Sequence, residues 1–351
     1  MAENLFLLPT TVLDQTLPVI NEATPAPVPS RGEKITKACQ AWLKKSPSRD
    51  TRSNYGRDIQ QFLAFAGITG DQPEKLATVE PEQVSAWRDH LLSKELTNST
   101  VRRKMTALRS LFSYLQTCRI ADTNPAHGDL AAAPAVARDG KTVGLSPEDC
   151  RHLLNAPAIA VTRKLTDGTD EKIVLPVGIR DQAIFGVLAY TGCRVGELTR
   201  MKVASYKITG GHHVLEIYGK GGKERLVPLN PEAAERLEAW LDVAGIRDDF
   251  SGPLFRPTRA SWGRDRQGFS AAPMTRRAVQ KLVERYVRRL GLDRNVTVHS
   301  LRVTALTTAR EHGSDIIDLQ DFAGHADPRT TLTYIRSRDR LSKSPAYVLI
   351  Y

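Results

Sequence analysis

Apolar residues recur at helical spacing in four consecutive segments between Lys34 and Ile120. Residues three and four positions apart share one face of a helix, so each segment predicts an amphipathic helix with one buried face. The four apolar sets are Ile35, Ala38, Trp42 and Leu43; Tyr55, Ile59, Phe62, Leu63 and Phe65; Val84, Trp87, Leu91 and Leu92; and Val101, Met105, Leu108, Leu111, Phe112 and Leu115. Asn98 or Ser99 is the expected N-cap of the fourth helix. Short connections between the helices predict a compact all-α domain over residues 34–120.

Segments of different composition flank this helical region. Residues 1–33 are rich in Pro and Thr, which predicts a flexible leader. Residues 121–145 contain Asn-Pro, Asp-Gly and an Ala-rich stretch, which predict a linker. A second domain is expected over residues 146–351, with Ser146 as the N-cap of a helix that starts at Pro147.

The second domain mixes helical and strand patterns. A helix is expected from Asp181 to about Tyr190. Residues 214–229 alternate in strand fashion around a Gly-Lys-Gly-Gly turn, which predicts a β-hairpin, and the pattern after Asn230 is again mostly helical. The expected fold class is therefore mainly α with a small β-hairpin or sheet, an all-α domain being followed by an α+β domain.

The charge of the chain favours a polyanionic partner. The formal net charge is +11, and residues 1–30 contribute −3, so the remaining residues carry +14. Lys and Arg side chains that neutralise phosphates release counterions from DNA, although a basic protein without such a partner explains the charge equally well. Four basic residues of the fourth helix are either phosphate contacts or a solvated face: Arg102, Arg103, Lys104 and Arg109.

Cysteine usage and hydropathy argue against several other classes. The four cysteines are scattered without a Cys-x-x-Cys pair, which indicates neither a zinc site nor a disulfide framework. The longest apolar runs, such as Ala183–Tyr190, are shorter than the roughly 20 residues of a membrane span. Leu5–Pro9 is apolar, but no basic residue precedes it, unlike a secretory signal. We therefore expect no metal, no membrane partner and a cytoplasmic, nucleoid-associated protein.

Two segments of the second domain place an arginine beside a polar partner at helical spacing. Gly192 permits a turn that brings Arg194 near a helix N-terminus, and Glu197 lies one turn later, where it can orient the guanidinium. His299 and Arg302 are spaced i, i+3 and so share one helical face. A structural Arg–Glu pair explains the first segment equally well.

Two further segments place a lysine at a hairpin tip and a tyrosine in a helix. Glycines around Lys220 permit close approach to a ligand backbone. Asp327 is expected to cap a helix that begins at Pro328, with His325 just before it and Tyr334 nearly two turns into it. Taken singly, a solvated lysine and a half-buried tyrosine are the simpler interpretations. The presence of all the segments in this order is what indicates a catalytic site.

In this order the residues resemble the catalytic domain of tyrosine recombinases, the family that includes Xer-type recombinases and phage integrases. The family signature is Arg, Glu or Asp, Lys, His-x-x-Arg, His or Trp, and Tyr. It is matched over roughly residues 146–340 by Arg194, Glu197, Lys220, His299, Arg302, His325 and Tyr334, within TGCRVGEL, GKGGKERLVPL, HSLR and GHADPRTTLTYI. Residues 34–120 are similar, with less specific motifs, to the family's SAM-like core-binding domain.

The resemblance implies a site-specific recombinase that cleaves and rejoins DNA through a 3′-phosphotyrosine. Arg194 and Arg302 would clamp the non-bridging phosphate oxygens with charge-assisted hydrogen bonds. His299 would be the base, His325 would hydrogen-bond the phosphate, and Lys220 would protonate the leaving 5′-hydroxyl. Because the phosphotyrosine conserves the energy of the broken bond, neither a metal nor ATP is expected as a cofactor.

The same resemblance implies double-stranded DNA as the partner, at a core site with two inverted protomer-binding arms. Lys223 and Arg225, beside the hairpin tip, are further candidate DNA contacts. We expect self-association to a tetramer on two sites, with accessory DNA-bending proteins or a partner recombinase as optional additions. Integration or excision of a mobile element and resolution of dimers stay open. The apolar residues 347–351 either fold back on their own domain or dock into a neighbouring protomer.

Two other functions are compatible with parts of the sequence. A type IB topoisomerase uses a similar pocket but reseals the same strand. The N-terminal helical domain, the linker and the tight Gly-Lys-Gly-Gly hairpin favour a recombinase over it. A non-catalytic helical DNA-binding regulator would explain the charge and the helices, but it would leave the ordered polar residues unexplained.

Overall fold

The structure is a computed structural model, and it describes residues 29–136, 142–164, 169–219, 222–258 and 268–335. At residue 163 and over residues 333–335 it describes the backbone alone. Lys220, the side chain of Tyr334, most of the predicted leader and the C-terminal residues 336–351 therefore lie outside the described part of the chain. The chain divides into two compact units, Met1–Ala137 and Arg138–Tyr351.

The four helices predicted for the first unit are present. Their bounds are Arg31–Lys45 (α1), Arg49–Phe65 (α2), Pro81–Ser93 (α3) and Asn98–Thr117 (α4), with a short 3₁₀ helix over Pro73–Thr78. The predicted N-cap of α4, Asn98 or Ser99, is wrong by one or two residues, because Thr97 is the cap. The Thr97 hydroxyl accepts from the backbone N–H of Thr100 at 3.3 Å, whereas the side-chain amide of Asn98 donates to the carbonyl of Ala135 at 2.9 Å.

The predicted apolar stripes form the core of the first unit. Trp42, Phe62 and Trp87 are buried, and the rings of Phe62 and Trp87 meet edge to face with centroids 5.2 Å apart. The indole N–H of Trp42 donates to Ser110 Oγ at 3.1 Å, so this buried polar group has a partner. Phe65, at the end of the second stripe, lies at the rim and is 38% exposed.

The first part of the predicted linker packs on the first unit instead of leaving it. Ala121, Ala126 and Ala131 are buried in the same core. Asn124 Nδ2 donates to the carbonyl of Arg109 at 3.0 Å, and Arg109 Nε donates to the carbonyl of Ala126 at 2.7 Å. These side chains satisfy the polar backbone of an irregular segment, which is why a loop-like composition does not make it a free connection.

The second unit consists of helices with two small antiparallel sheets, in agreement with the predicted fold class. Its helices are Pro147–Asn155 (α5), Pro176–Thr191 (α6), Val195–Leu198 (α7), Pro231–Ala244 (α8), Arg276–Arg289 (α9), Val298–Glu311 (α10), Ile316–Ala323 (α11) and Pro328–Ile335 (α12), with a 3₁₀ turn over Val203–Ser205. Its strands are Ala160–Lys164 (β1), Asp170–Val174 (β2), Tyr206–Thr209 (β3), His212–Tyr218 (β4) and Glu224–Pro228 (β5).

Most sequence predictions for this unit hold, with additions. Ser146 caps α5, its hydroxyl accepting from the Asp149 N–H at 3.0 Å. The predicted hairpin is β4 paired with β5, and β3 extends it to a three-stranded sheet. The β1–β2 hairpin was not predicted. Its strands are almost wholly exposed, so they lack the apolar alternation by which a half-buried strand is recognised.

Helix α6 forms the centre of the second unit. It starts five residues before the predicted Asp181, and Ala183–Leu188 is continuously buried. The helix packs chiefly against α8 and α10. A helical stretch that is apolar on every side, as Ala183–Leu188 is, is expected in the interior of a domain. Among the described residues, no helix has both the length and the apolar character needed to cross a membrane.

Candidate active site

Arg194 lies where the chain turns between α6 and α7. Gly192 ends α6 with a left-handed backbone (φ 57°), a conformation that favours glycine. The carboxylate of Glu197 accepts from Arg194 Nη1 at 2.8 Å and from the Arg194 backbone N–H at 2.9 Å. The Glu197 side chain is 2% exposed and that of Arg194 is 40% exposed. Glu197 therefore fixes the direction of a guanidinium that stays accessible.

Arg302 lies on α10 and is almost completely enclosed, with 1% of the residue exposed. Its Nη1 donates to the carbonyl of Gly192 at 2.5 Å, and its Nη2 donates to the carbonyl of Ala323 at 2.6 Å. Burial of a charge is costly unless acceptors surround it. These bonds supply acceptors to both terminal nitrogens and join α10 to the C-terminal ends of α6 and α11.

His325 is buried against the same guanidinium. Its Nε2 lies 2.7 Å from Arg302 Nη2, and its Nδ1 lies 2.9 Å from Thr331 Oγ1. A guanidinium can only donate, so Nε2 accepts and the imidazole proton sits on Nδ1. Burial, with the positive charge of Arg302 next in importance, lowers the pKa of His325 to about 4. The histidine is therefore neutral at pH 7.

His299 shares a cavity with both arginines. The cavity, of about 500 Å³, is lined by Cys193, Arg194, Val195, Gln280, Glu284, Thr297, Val298, His299 and Arg302. Desolvation, together with the charges of Arg302 and Arg194, lowers the pKa of His299 below its ordinary value. A neutral imidazole beside two guanidiniums can accept a proton at neutral pH.

Tyr334 belongs to α12, where the sequence analysis expected it. Gly324 ends α11 with a left-handed backbone (φ 61°). Asp327 Oδ1 then accepts from the Arg329 N–H at 2.9 Å, so α12 begins at Pro328 with the predicted cap. Helix α12 packs against α10, which carries His299 and Arg302, and against α11.

The hairpin residues on either side of Lys220 differ in their surroundings. The Gly219 N–H donates to the carbonyl of Lys223 at 2.7 Å across the turn, and the Lys223 side chain is exposed. Arg225, in contrast, has a side chain that is 12% exposed, and it bonds to Glu197. Of the two hairpin candidates for DNA contact, only Lys223 therefore lies open to solvent.

Two of the basic residues on α4 share one acidic partner. Lys104 is 6% exposed, and its Nζ donates to Asp58 Oδ1 at 2.9 Å and to the Gln61 side chain. Arg103 also pairs with Asp58, with 2.9 Å between Nη2 and Oδ1, while its side chain is 45% exposed. Burial removes Lys104 from any surface that a phosphate backbone can reach, which corrects its placement among the candidate DNA contacts.

The other two basic residues of α4 also separate. Arg109 is half-buried and bonds through Nε to the packed segment that follows α4. Arg102 is exposed, and within the described residues its guanidinium has no hydrogen bond or ion pair. Arg102 is thus the member of the set whose surroundings best suit a mobile phosphate contact.

Sequence reasoning did not identify Thr331, which holds the Nδ1 side of His325. This threonine is completely buried on α12. Its only sequence signal is its place one turn into a helix that starts at Pro328.

In the described ranges, no group of three or more His, Cys, Asp or Glu side chains is arranged to hold a metal ion.

Two family models match the two units of the chain. The phage integrase family matches residues 161–340, and the N-terminal SAM-like domain of phage integrases matches residues 40–117. The tyrosine recombinase XerC of Pelobacter propionicus is 32% identical over 302 residues, covering 85% of this chain and 88% of the relative. The tyrosine recombinase XerD of Ralstonia nicotianae is 30% identical over 328 residues, covering 91% and 94%.

Solved structures agree on the fold. The XerH site-specific recombinase bound to palindromic difH substrate aligns with a TM-score of 0.60 at 18% identity, covering 90% of this chain and 89% of that one. A lambda integrase dimer bound to a COC′ core site gives 0.61 at 16% identity, covering 87% and 77%. Neither a topoisomerase nor a non-catalytic regulator is favoured by these matches. The chain therefore belongs to the phage integrase family and is a tyrosine recombinase of the Xer type, an enzyme of site-specific DNA recombination.

Proposed function

We propose that this recombinase cleaves DNA by attack of Tyr334 on a phosphodiester and rejoins it by the reverse reaction. The observation that carries the proposal is the cavity shared by Arg194, His299 and Arg302. It combines two cations with a neutral base, as in-line attack on an anionic phosphodiester requires. Tyr334 lies on a helix that packs against α10, which carries two of these residues.

The two arginines stabilise the five-coordinate transition state. Negative charge builds on the non-bridging oxygens as the tyrosine attacks, and guanidiniums match those oxygens with paired N–H donors. Glu197 orients Arg194, and the carbonyls of Gly192 and Ala323 orient Arg302. Because these donors are held before the reaction starts, little reorganisation is needed at the moment of attack.

Proton transfers complete the reaction. His299 takes the phenolic proton of Tyr334, and its lowered pKa keeps the imidazole unprotonated and so able to accept that proton at neutral pH. The tyrosine oxygen bonds to phosphorus, the bond to the 5′-oxygen breaks, and the leaving oxygen receives a proton from Lys220. The role of Lys220 is inferred from the sequence alone, because this residue lies outside the described part of the chain. The resulting 3′-phosphotyrosine is attacked by a 5′-hydroxyl to reseal a strand, so neither ATP nor a metal ion is required.

We assign His325 a positioning role instead of the direct phosphate contact expected from the sequence. Its Nε2 accepts from Arg302, and an imidazole in this tautomer offers the phosphate no proton at that nitrogen. Thr331 holds the opposite side of the ring. His325 affects the phosphate indirectly, because its hydrogen bond with Arg302 fixes the plane of the guanidinium that binds the phosphate.

We further propose that the enzyme acts in the cytoplasm on a double-stranded core site, as a tetramer on two sites. The bound DNA named for the XerH and lambda integrase structures supports a core-site substrate. The net charge of +14 after residue 30 suits a polyanion. Mobile-element integration or excision and dimer resolution all use this chemistry. An accessory DNA-bending protein or a partner recombinase is compatible with each.

A covalent adduct assay tests the proposal. The probe is a nicked duplex carrying the site that the wild-type protein selects from random-sequence DNA. Tyr334→Phe keeps the ring but removes the attacking oxygen, so DNA binding should persist while the adduct disappears. Tyr218→Phe is the matched control, because Tyr218 is 47% exposed on β4 and should be dispensable. Adduct formation by Tyr334→Phe at the wild-type yield would contradict the mechanism. Loss of the wild-type adduct in excess EDTA, with recovery on addition of a divalent metal, would contradict it as well.

A further inference from the structure

Arg225 stands on β5, the strand that returns from the hairpin tip, and points into the protein. Its side chain is 12% exposed. Nη2 donates to Glu197 Oε2 at 2.8 Å, and Nε donates to the carbonyl of Phe322 at 3.0 Å. These partners lie 28 and 97 residues away in the sequence. One guanidinium therefore joins three segments that are distant along the chain.

Both partners of Arg225 belong to the site. Glu197 is the carboxylate that orients Arg194. Phe322 lies at the end of α11, beside Ala323, whose carbonyl accepts from Arg302. Arg225 thus connects the hairpin with the supports of both phosphate-binding arginines.

The turn between α11 and α12 is shaped around Arg225. A Cβ placed on Gly324 would lie 2.8 Å from Arg225 Nη1, closer than real Cβ contacts. Two hydrogen bonds hold this guanidinium, so it has little freedom to yield. Gly324 also has a positive φ of 61°, where glycine is favoured. The glycine before His325 therefore serves both the end of α11 and the close approach of Arg225.

Arg225 also affects the charge of Glu197. Burial alone would raise the pKa of Glu197, but hydrogen bonds from Arg225 and from the Arg194 backbone lower it below its ordinary value. The carboxylate therefore stays ionised at neutral pH although it is buried. An ionised Glu197 binds the Arg194 guanidinium more strongly than a neutral carboxyl group would.

We propose that Arg225 is a positioning residue that holds the β4–β5 hairpin, the Arg194–Glu197 pair and the His325 turn in one geometry, and that it is not a DNA contact. The inference rests on the roles proposed above for Lys220, Arg194 and Arg302. Lysine at this position would keep the charge, but its single nitrogen cannot reproduce the fork that bonds Glu197 and Phe322 together. Arg225→Lys therefore separates positioning from phosphate binding.

The test compares two arginine-to-lysine variants of the full-length chain on the nicked, wild-type-selected duplex. Arg236 is the matched control: its side chain is 11% exposed, and it joins the carbonyl of Leu154 to Glu232 away from the cavity. At saturating protein, Arg225→Lys should slow single-turnover adduct formation by about 10²-fold, as a displacement of about 1 Å does. Its DNA affinity should stay within about twofold of the wild type, with an unchanged salt slope. Arg236→Lys should form the adduct at the wild-type rate.

Three outcomes would overturn the inference. The first is a wild-type adduct rate in Arg225→Lys. The second is an Arg225→Lys variant whose only change is weaker DNA binding with a smaller salt slope. The third is an equal loss of adduct rate in Arg236→Lys. Circular-dichroism melts check that both variants fold. Should Arg225→Lys not fold, Gly324→Ala decides, because its Cβ pushes on an intact Arg225, and Gly245→Ala is its control. Gly245 ends α8 with the same φ of 61°, but nothing lies within 4 Å of its Cβ position. The adduct rate of Gly324→Ala alone should fall by at least about 10-fold at unchanged affinity. A wild-type rate for Gly324→Ala, or an equal loss for Gly245→Ala, would refute the inference. Failure of the wild-type chain itself to form adduct would count against the proposed function instead.

Discussion

Helix α4 of the first unit and the cavity of the second unit both display several cations, but the two regions use them differently. On α4, exposure ranges from the open Arg102 to the buried Lys104, and the buried charge is matched by Asp58. In the cavity, Arg302 is as buried as a core residue, yet it is held mainly by backbone carbonyls.

The difference shows how a protein separates binding charge from catalytic charge. Lys104 is buried as well as paired with a carboxylate, so it is closed to an anion, whereas Arg194 is paired with Glu197 but stays accessible. The carbonyl dipoles around Arg302 orient its guanidinium without cancelling its charge. An exposed arginine adds affinity that salt screens. We therefore expect mutations in the cavity to change rate, mutations in the Asp58 cluster to change stability, and mutation of Arg102 to change salt-dependent binding.

The largest effect is expected for Arg302→Lys. The single nitrogen of lysine cannot occupy both the position from which Nη1 bonds Gly192 and that from which Nη2 bonds Ala323 and His325, so the phosphate clamp loses its fixed fork. Single-turnover adduct formation should fall by about 10²–10³-fold, the usual effect of removing one preorganised donor. DNA affinity should change by only a few-fold, as measured by gel shift. A large loss of affinity with an unchanged rate would make Arg302 a binding residue like Arg102.

A smaller effect is expected in the pH dependence of unfolding. The pKa of His325 is about 4 in the folded protein, against an ordinary value of 6.5, so only the unfolded chain binds this proton between those pH values. The contribution of this residue to the free energy of unfolding is therefore fully present above pH 6.5 and is lost as the pH falls toward 4. The expected loss is at most about 3 kcal/mol.

Urea denaturation at several pH values measures this contribution. His325→Gln cannot titrate, so its unfolding free energy should depend less steeply on pH between 6.5 and 4 than that of the wild type. Identical slopes for the two proteins would show that His325 titrates normally in the folded state.

The smallest effect, a change in the salt dependence of DNA binding, is expected for Arg102→Ala. The neighbouring Arg103→Ala is compared with it. Arg102 is exposed, so its loss should reduce the slope of log affinity against log salt by about 1 and leave stability within about 0.5 kcal/mol. Arg103→Ala should also destabilise the chain, by about 1–3 kcal/mol, because the buried Asp58 carboxylate loses one of its two cationic partners. Gel shifts at several salt concentrations and urea denaturation separate the two. If the two variants changed the salt slope and the free energy of unfolding equally, pairing with Asp58 would not separate the roles of Arg102 and Arg103.

Local patterns carried most of the fold and the residues of the site. The helices of the first unit followed from apolar spacing, and the starts of α5 and α12 followed from Ser146-Pro147 and Asp327-Pro328. Failures occurred where contacts between distant residues decide the structure. Residues 121–136 resemble a linker but are packed through Asn124 and Arg109, and the exposed β1–β2 hairpin has no apolar pattern to detect.

Helix caps, glycine turns and helical spacing depend on neighbours along the chain, so they reveal which residues are available for phosphate chemistry and on which local elements these residues lie. Which charged side chains face the cavity, which are paired with a carboxylate and which position other residues depends on the folded arrangement. This arrangement places Lys104 beside Asp58, Arg302 against two helix ends, and Arg225 between Glu197 and Phe322. The physical reason is that the cost of burying a charge depends on partners that folding brings from far along the sequence.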